Sequence, residues 1–135
     1  MFFRIFNNIR FKCVYPVLVD DSVIFRAGLA ALISLEEDIE VVGEASSGEE
    51  AILLTQSLHP DLILMDVRIS SCNGAEITKK IHQRFPWIQI MVLAIFDEDE
   101  YIFQSFQNGA LKYVLKGTPS KQIAAAIRSL DQERF

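Results

Sequence analysis

The sequence has no apolar run approaching the ~20 residues that a membrane-spanning helix needs. It also lacks a basic surplus: its formal net charge is -5, whereas gripping nucleic acid requires a positively charged face. Cysteine is scarce, and the spacing of Cys13 and Cys72 suits neither a metal site nor a disulfide framework. We therefore expect a cytoplasmic protein with reduced thiols, no direct contact with nucleic acid and no membrane association.

The first 13 residues form an N-terminal extension, and residues 14–135 are expected to form one compact domain. Acidic residues are absent before Asp20, and the basic side chains of Arg4, Arg10 and Lys12 are interleaved with phenylalanines. Several apolar residues could share one helical face: Phe2, Ile5, Phe6, Ile9 and Cys13. Such a face would suit a membrane surface or a partner protein; the alternative is an adventitious extension.

One short stretch, DLILMD at 61–66, places a carboxylate at the end of an apolar run. The run follows Pro60 and precedes turn-prone residues, which favours a buried parallel strand over a helix. Asp66 would then lie at the carboxyl edge of a sheet, where ligands of α/β proteins bind. The alternative is an aspartate that only begins a helix.

From residue 14 onward, strand and helix signals alternate with short connections. The strands are predicted at 16–19, 39–45, 61–66, 88–95 and 112–115, and the helices at 23–35, 51–57, 74–84, 97–108 and 120–130. Pro16 is expected to begin the first strand because proline donates no ladder hydrogen bond. Five strands that are each followed by a helix predict an α/β fold, a doubly wound parallel sheet with right-handed crossovers.

In the flavodoxin-like strand order 2-1-3-4-5, the first and third strands are neighbours. Asp20, Asp21 and Asp66 would converge at one edge of the sheet, and Lys116 follows the fifth strand at the same edge. Three close carboxylates repel one another unless a cation compensates their charge. Mg²⁺ answers that need most simply, because it prefers oxygen ligands.

A family resemblance rests on four segments in order: VLVDDS at 17–22, VGEASSGEEA at 42–51, DLILMDVR at 61–68, and 109–116 from GA to YVLK. Together they closely resemble the receiver domains of two-component response regulators, in the NarL/LuxR branch. The resemblance covers residues 15–130 and implies the five-stranded (βα)5 receiver fold. It also implies a switch that controls an output, with transcription expected through a domain absent here.

The resemblance assigns roles to the acidic cluster. Asp66 matches the aspartate that accepts a phosphoryl group from a sensor histidine kinase. Asp20 and Asp21 match the acidic pair that holds Mg²⁺ together with Asp66, and Arg68 would lend its backbone carbonyl to the metal. Such a domain is no enzyme in the usual sense, because only its own phosphorylation and dephosphorylation are expected.

Other matched positions would sense the phosphoryl group. Lys116 matches the lysine that pairs with it, and Tyr113 matches the aromatic residue whose rotamer reports the state of the site. Two positions depart from the family: Ala94 replaces the usual Thr or Ser, and Ser70 replaces a common proline, which should loosen the metal-binding loop. The resemblance also suggests a homodimer through the first and last helices.

Three alternatives use related chemistry. A haloacid-dehalogenase-type enzyme needs a second acid two residues after the strand-end aspartate, where this chain has Arg68. A flavodoxin would present a phosphate-binding loop after its first strand, whereas Asp20 and Asp21 would repel a phosphate. The strongest alternative is a pseudo-receiver, a phosphorylation-independent interaction module. Ala94 and Pro16 favour it, and the set Asp20, Asp21, Asp66 and Lys116 disfavours it.

Overall fold

A computed structural model describes residues 3–6, 9–69 and 72–132. The strands are β1 Phe3–Phe6, β2 Ile9–Lys12, β3 Pro16–Val19, β4 Gly43–Ala45, β5 Leu62–Asp66, β6 Arg68–Ile69, β7 Cys72–Asn73, β8 Gln89–Ala94 and β9 Lys112–Leu115. The helices are α1 Val23–Ile33, α2 Gly48–Leu58, α3 Gly74–Arg84, α4 Glu100–Gln107 and α5 Ser120–Gln132. From Pro16 onward the strands of the central sheet alternate with helices, and a short pair of strands, β6 and β7, is inserted between β5 and α3.

The central sheet has the order β4-β3-β5-β8-β9, and all of its strand pairs are parallel. Counted along the chain, these strands run 2-1-3-4-5, which confirms the predicted fold class and topology. The order places β3 beside β5, so the residues that follow Val19 and close β5 meet at one edge. None of the helices described is long and apolar enough to cross a membrane.

Apolar residues on both faces of the sheet form two cores, because successive strand residues point to opposite sides. Ile63 and Met65 pack on one side with residues of α2, α3 and α4, whereas Leu62 and Leu64 pack on the other side with residues of α1 and α5. Helices therefore cover both faces, as a doubly wound sheet requires.

The second strand of the sheet is shorter than predicted, Gly43–Ala45 rather than 39–45. Val14 pairs with Ile39 in an isolated bridge, and the Val42 N–H donates to the Pro16 carbonyl. Proline has no N–H for the reciprocal bond, so the ladder is interrupted beside Pro16. The prediction that Pro16 begins the first strand is confirmed.

The fourth helix begins later than predicted. Asp99 is the N-cap of α4, so of the acidic stretch 97–100 only Glu100 lies in the first turn. By contrast, α5 begins at Ser120 as predicted, and the Pro119 carbonyl accepts a hydrogen bond from the Ile123 N–H. The end of α4 is as expected, because Gly109 adopts φ +117°, a left-handed conformation typical of helix stops.

The N-terminal extension contains an antiparallel pair, β1 and β2, instead of the helix that its apolar spacing would allow. The aromatic and β-branched residues of this segment favour extended backbone. Ile5, Phe6 and Ile9 therefore lie in strands rather than on one helical face, and Phe2 lies outside the described residues. A second short antiparallel pair, β6 and β7, flanks residues 70–71, so the expectation for Ser70 also lies outside them.

Candidate functional site

The carboxyl ends of β3 and β5 bring three aspartates together. Asp20 follows β3, Asp66 closes β5, and a carboxylate oxygen from each of these residues and from Asp21 lies within 4.8 Å of the others. Asp20 and Asp66 are 1% and 4% exposed, whereas Asp21 is open to solvent. The structure thus places the predicted acidic cluster at the predicted edge of the sheet.

Lys116 lies across this cluster, because it directly follows β9 and its N–H donates to the Ala94 carbonyl at the end of β8. Its Nζ lies 2.7 Å from Asp20 Oδ2 and 3.0 Å from Asp66 Oδ2. Burial alone would lower the pKa of Lys116, but the attraction of the Asp20 and Asp66 carboxylates outweighs this effect and the pKa is raised. Lys116 therefore stays charged and neutralises part of the acidic cluster.

The pKa of Asp66 is raised, mainly because burial disfavours its charged form. Repulsion from Asp20 raises it further, whereas the hydrogen bond from the Arg68 N–H and the charge of Lys116 lower it. The Arg68 N–H lies 3.0 Å from Asp66 Oδ1. The site thus holds more negative charge than its lysine neutralises, and an added cation would favour the ionised Asp66.

The donor set fits a hard divalent cation. Asp20 Oδ1 accepts a hydrogen bond from the Ser22 N–H at 2.8 Å. Asp20 Oδ2 is buried and ion-paired with Lys116, yet it receives no hydrogen bond from the residues described. Carboxylate oxygens of this kind are the ligands that Mg²⁺ prefers. Asp20, Asp21 and Asp66 could therefore hold Mg²⁺, and the part predicted for the Arg68 carbonyl stays a prediction.

A cleft of about 260 Å³ opens above the aspartates. Its lining includes Asp21, Asp66, Arg68, Phe96, Asp99 and Lys116. Such a volume leaves room for a small anion beside Asp66 and Lys116, and the lining mixes both signs of charge. The arrangement suits nucleophilic attack by Asp66 on a group whose own negative charge must be neutralised.

Two further predicted residues lie around this centre. Ala94 ends β8 and is fully buried, and it offers no hydroxyl group to an anion in the cleft. Tyr113 is 39% exposed on β9, and its ring contacts the edge of Phe106 with centroids 6.1 Å apart. Tyr113 is thus half-exposed beside α4, and its switching role stays a prediction.

Sequence reasoning missed Arg26, which supports the first acidic residue from α1. Its Nη1 donates to the backbone carbonyl of Asp20 at 2.5 Å, and its Nε pairs with Glu44 at 3.1 Å. Arg26 lies one helical turn after the N-cap Ser22, so its side chain can reach back to the strand end. That spacing was the available signal, although an arginine in a first turn is common on solvated surfaces.

Comparison with known proteins gives one family. The model of the response regulator receiver domain matches residues 17–128. The response regulator protein VraR of Staphylococcus aureus is 41% identical over 112 residues, which is 83% of this chain and 54% of the relative. The chain therefore spans about half the length of the curated relatives it matches.

Solved structures agree in fold. A two-component response regulator of the LuxR family from Aurantimonas sp. SI85-9A1 is 28% identical with a TM-score of 0.85, covering 91% of this chain and 88% of that one. A CheY-like receiver domain protein from Methanospirillum hungatei JF-1 is 20% identical with a TM-score of 0.82, covering 91% and 97%. The second similarity concerns the fold alone.

Proposed function

This chain belongs to the response regulator receiver domain family, and from that premise we propose that Asp66 accepts a phosphoryl group from the phosphohistidine of a sensor kinase. The observation that carries the proposal is Lys116 Nζ, which lies within 3.0 Å of Asp66 Oδ2 and bridges to Asp20. A receiver of this family is a signalling switch. The aspartyl phosphate is its proposed active form.

The proposed reaction is an in-line displacement at phosphorus. A carboxylate oxygen of Asp66 forms the new O–P bond while the N–P bond of the phosphohistidine breaks, and the imidazole leaves with the electron pair. Asp20, Asp21, Asp66 and the Arg68 carbonyl would hold Mg²⁺, which when bound neutralises charge on the phosphoryl oxygens. Lys116 would contact the same oxygens, so the chain contributes mainly positioning and charge stabilisation.

The product would add roughly 1 to 2 negative charges beside Lys116. A change of that size in a buried cleft can shift the balance between two arrangements of the neighbouring loops. The curated relatives extend beyond the segment that this chain covers. We therefore propose that this domain acts as the input module, and that an output such as transcription control, together with homodimerisation, belongs to the whole regulator.

The experiment that tests the phosphoacceptor compares wild type with Asp66→Asn after incubation with a small phosphodonor and Mg²⁺. We expect one phosphoryl group, sensitive to alkali and to hydroxylamine, per wild-type chain by intact-mass spectrometry, and none in Asp66→Asn. Asp97→Asn is the matched control. Asp97 is exposed and follows β8, so it lies at the same edge of the sheet as Asp66. Equal incorporation in Asp66→Asn, or none in wild type, would contradict the proposal.

A second candidate function, the pseudo-receiver, is favoured by one observation: Ala94 is buried at the end of β8 and has no hydroxyl group. The domain would then bind partners whatever the state of Asp66. A hydrogen bond to a charged group contributes about 1.5 to 3 kcal/mol, so its loss can weaken the coupling of phosphorylation to conformation about ten-fold or more.

Ala94→Thr is expected to strengthen that coupling about ten-fold, because its hydroxyl can donate to the phosphoryl oxygens. Sedimentation measures the change in the dimerisation constant, or in the affinity for a partner, when beryllofluoride and Mg²⁺ are added. Ala94→Val is the matched control, since valine has the shape of threonine without the hydroxyl. An unchanged shift in Ala94→Thr, or an equal gain in Ala94→Val, would contradict the role given to the hydroxyl.

A further inference from the structure

Arg68 joins the phosphoacceptor to the beginning of α4. Its backbone N–H binds Asp66 Oδ1, while its guanidinium makes a two-point contact with Asp99, Nε to Oδ2 at 2.7 Å and Nη2 to Oδ1 at 3.3 Å. The guanidinium also lies over the ring of Tyr101, 4.5 Å from its centroid. Arg68 thus contacts both the Asp66 carboxylate and the first turn of α4, the helix that follows β8.

The two partners of this ion pair differ in exposure. The Asp99 side chain is only 3% exposed, whereas the Arg68 side chain is 58% exposed. Asp99 is also the N-cap of α4, and its Oδ1 accepts a hydrogen bond from the Tyr101 N–H at 2.9 Å. The carboxylate is therefore held in place by the helix, and the arginine is the partner that is free to move.

The cleft of about 260 Å³ has both partners of this ion pair in its lining, together with Asp66 and Lys116. A phosphoryl group on Asp66 would enter this cleft with a charge of about -1.5 to -2, larger than that of the Asp99 carboxylate. Planar guanidinium groups bind phosphate oxygens at two points, as they bind carboxylates. The phosphoryl group would thus compete with Asp99 for Arg68.

We propose that Arg68 couples the Asp66 site to α4 by exchanging its guanidinium between Asp99 and the phosphoryl group, an inference that rests on the proposed function. In the unmodified protein the ion pair anchors the start of α4. In the phosphorylated protein Arg68 turns toward Asp66, and the first turn of α4 loosens because Asp99 loses its partner. Ala94 has no hydroxyl to carry the signal, and this route does not require one.

The test is amide hydrogen exchange of residues 99–107, measured with and without beryllofluoride plus Mg²⁺. We expect beryllofluoride to speed exchange in the first turn of α4 of the wild type by about three-fold or more, the size expected for losing one partly exposed ion pair. In Arg68→Met the exchange is expected to be fast already and to change little on adding beryllofluoride. Asp99→Asn should behave in the same way, since asparagine still caps the helix.

Arg84→Met is the matched control, because Arg84 also lies over an aromatic ring, that of Phe85, and bonds a side chain of another helix. This control should exchange like wild type. Occupancy is read separately, as the rise in melting temperature that beryllofluoride produces. If beryllofluoride raises the melting temperature of Arg68→Met and still speeds amide exchange in α4 of this variant, the coupling proposal is wrong while the proposed function stands. If the mimic does not stabilise wild type, both fall.

Slow exchange in unmodified Arg68→Met and Asp99→Asn would also overturn the coupling proposal, because the ion pair would then contribute nothing to the anchoring of α4. This arm needs neither beryllofluoride nor Mg²⁺. It therefore tests the role of Arg68 in the resting protein even where phosphorylation fails. Fast exchange in both variants, together with a blunted response to beryllofluoride, is the result that supports the proposal.

Discussion

Gly74→Ala is expected to lower the free energy of unfolding by about 1–3 kcal/mol, because the added methyl group has no space. A Cβ at Gly74 would collide with the Asp66 carbonyl oxygen and would lie 2.9 Å from the Cα of Val67. The Gly74 N–H also donates to the Val67 carbonyl at 2.9 Å, which draws the start of α3 against the end of β5. The obstacle is backbone, so it cannot turn aside like a flexible side chain.

The same substitution should slow phosphorylation of Asp66 about ten-fold or more, because catalysis by positioning is lost when the nucleophile shifts by a fraction of an ångström. Thermal unfolding monitored by circular dichroism should show a melting temperature lower by roughly 4 to 11 °C. Phosphorylation is measured well below that temperature with a small phosphodonor and Mg²⁺. A variant that keeps the wild-type rate would show that the loop after β5 adapts without moving Asp66.

Gly28→Ala is the matched control, since it makes the same chemical change in α1. A Cβ at Gly28 meets nothing within 4 Å, and alanine is favoured over glycine inside a helix by about 0.5–1 kcal/mol. This variant should therefore be slightly more stable than wild type and react at the same rate. Equal losses in Gly28→Ala and Gly74→Ala would indicate a general effect of the substitution rather than the contact with Asp66.

The sequence predicts the sheet well because each strand is a short apolar run, and capping residues mark where most of the intervening helices begin. The third helix runs over 74–84 as predicted, and the side chain of Asn73 caps it by accepting from the Ala75 N–H. The shortened β4 follows from a missing donor at Pro16, an effect across two strands that local patterns do not encode. The β1–β2 pair was missed because phenylalanine and isoleucine at these spacings fit a helix face and a strand equally well.

The candidate site likewise has residues that the sequence predicts and contacts that it does not. Asp20, Asp66 and Lys116 were predictable because topology alone brings strand ends to one edge. The ion pair between Arg68 and Asp99 was not, because it joins residues 31 positions apart through the paths of two side chains. The interaction of Arg26 with the Asp20 carbonyl likewise depends on a rotamer rather than on a motif.

Asp20→Asn is expected to weaken Mg²⁺ binding about ten- to a hundred-fold, because an interaction with a charged group contributes about 1.5–3 kcal/mol and each 1.4 kcal/mol is a factor of ten. Asparagine keeps an oxygen that can accept from the Ser22 N–H, so the turn after β3 should survive. What is lost is the charge of the buried Oδ2, which in the residues described receives no hydrogen bond. The affinity follows from the rise of melting temperature with Mg²⁺ concentration.

Asp97→Asn removes the same charge from an exposed position at the same edge of the sheet, and it should leave the Mg²⁺ dependence unchanged. The comparison separates ligation from the general field of an acidic surface, because long-range attraction between exposed charges is screened by salt. Repeating the titration at higher salt should weaken Mg²⁺ binding to wild type and to Asp97→Asn by the same factor. Equal Mg²⁺ affinities in Asp20→Asn and wild type would mean that the three aspartates converge for a reason other than a metal ion, with Lys116 as their sufficient counter-charge.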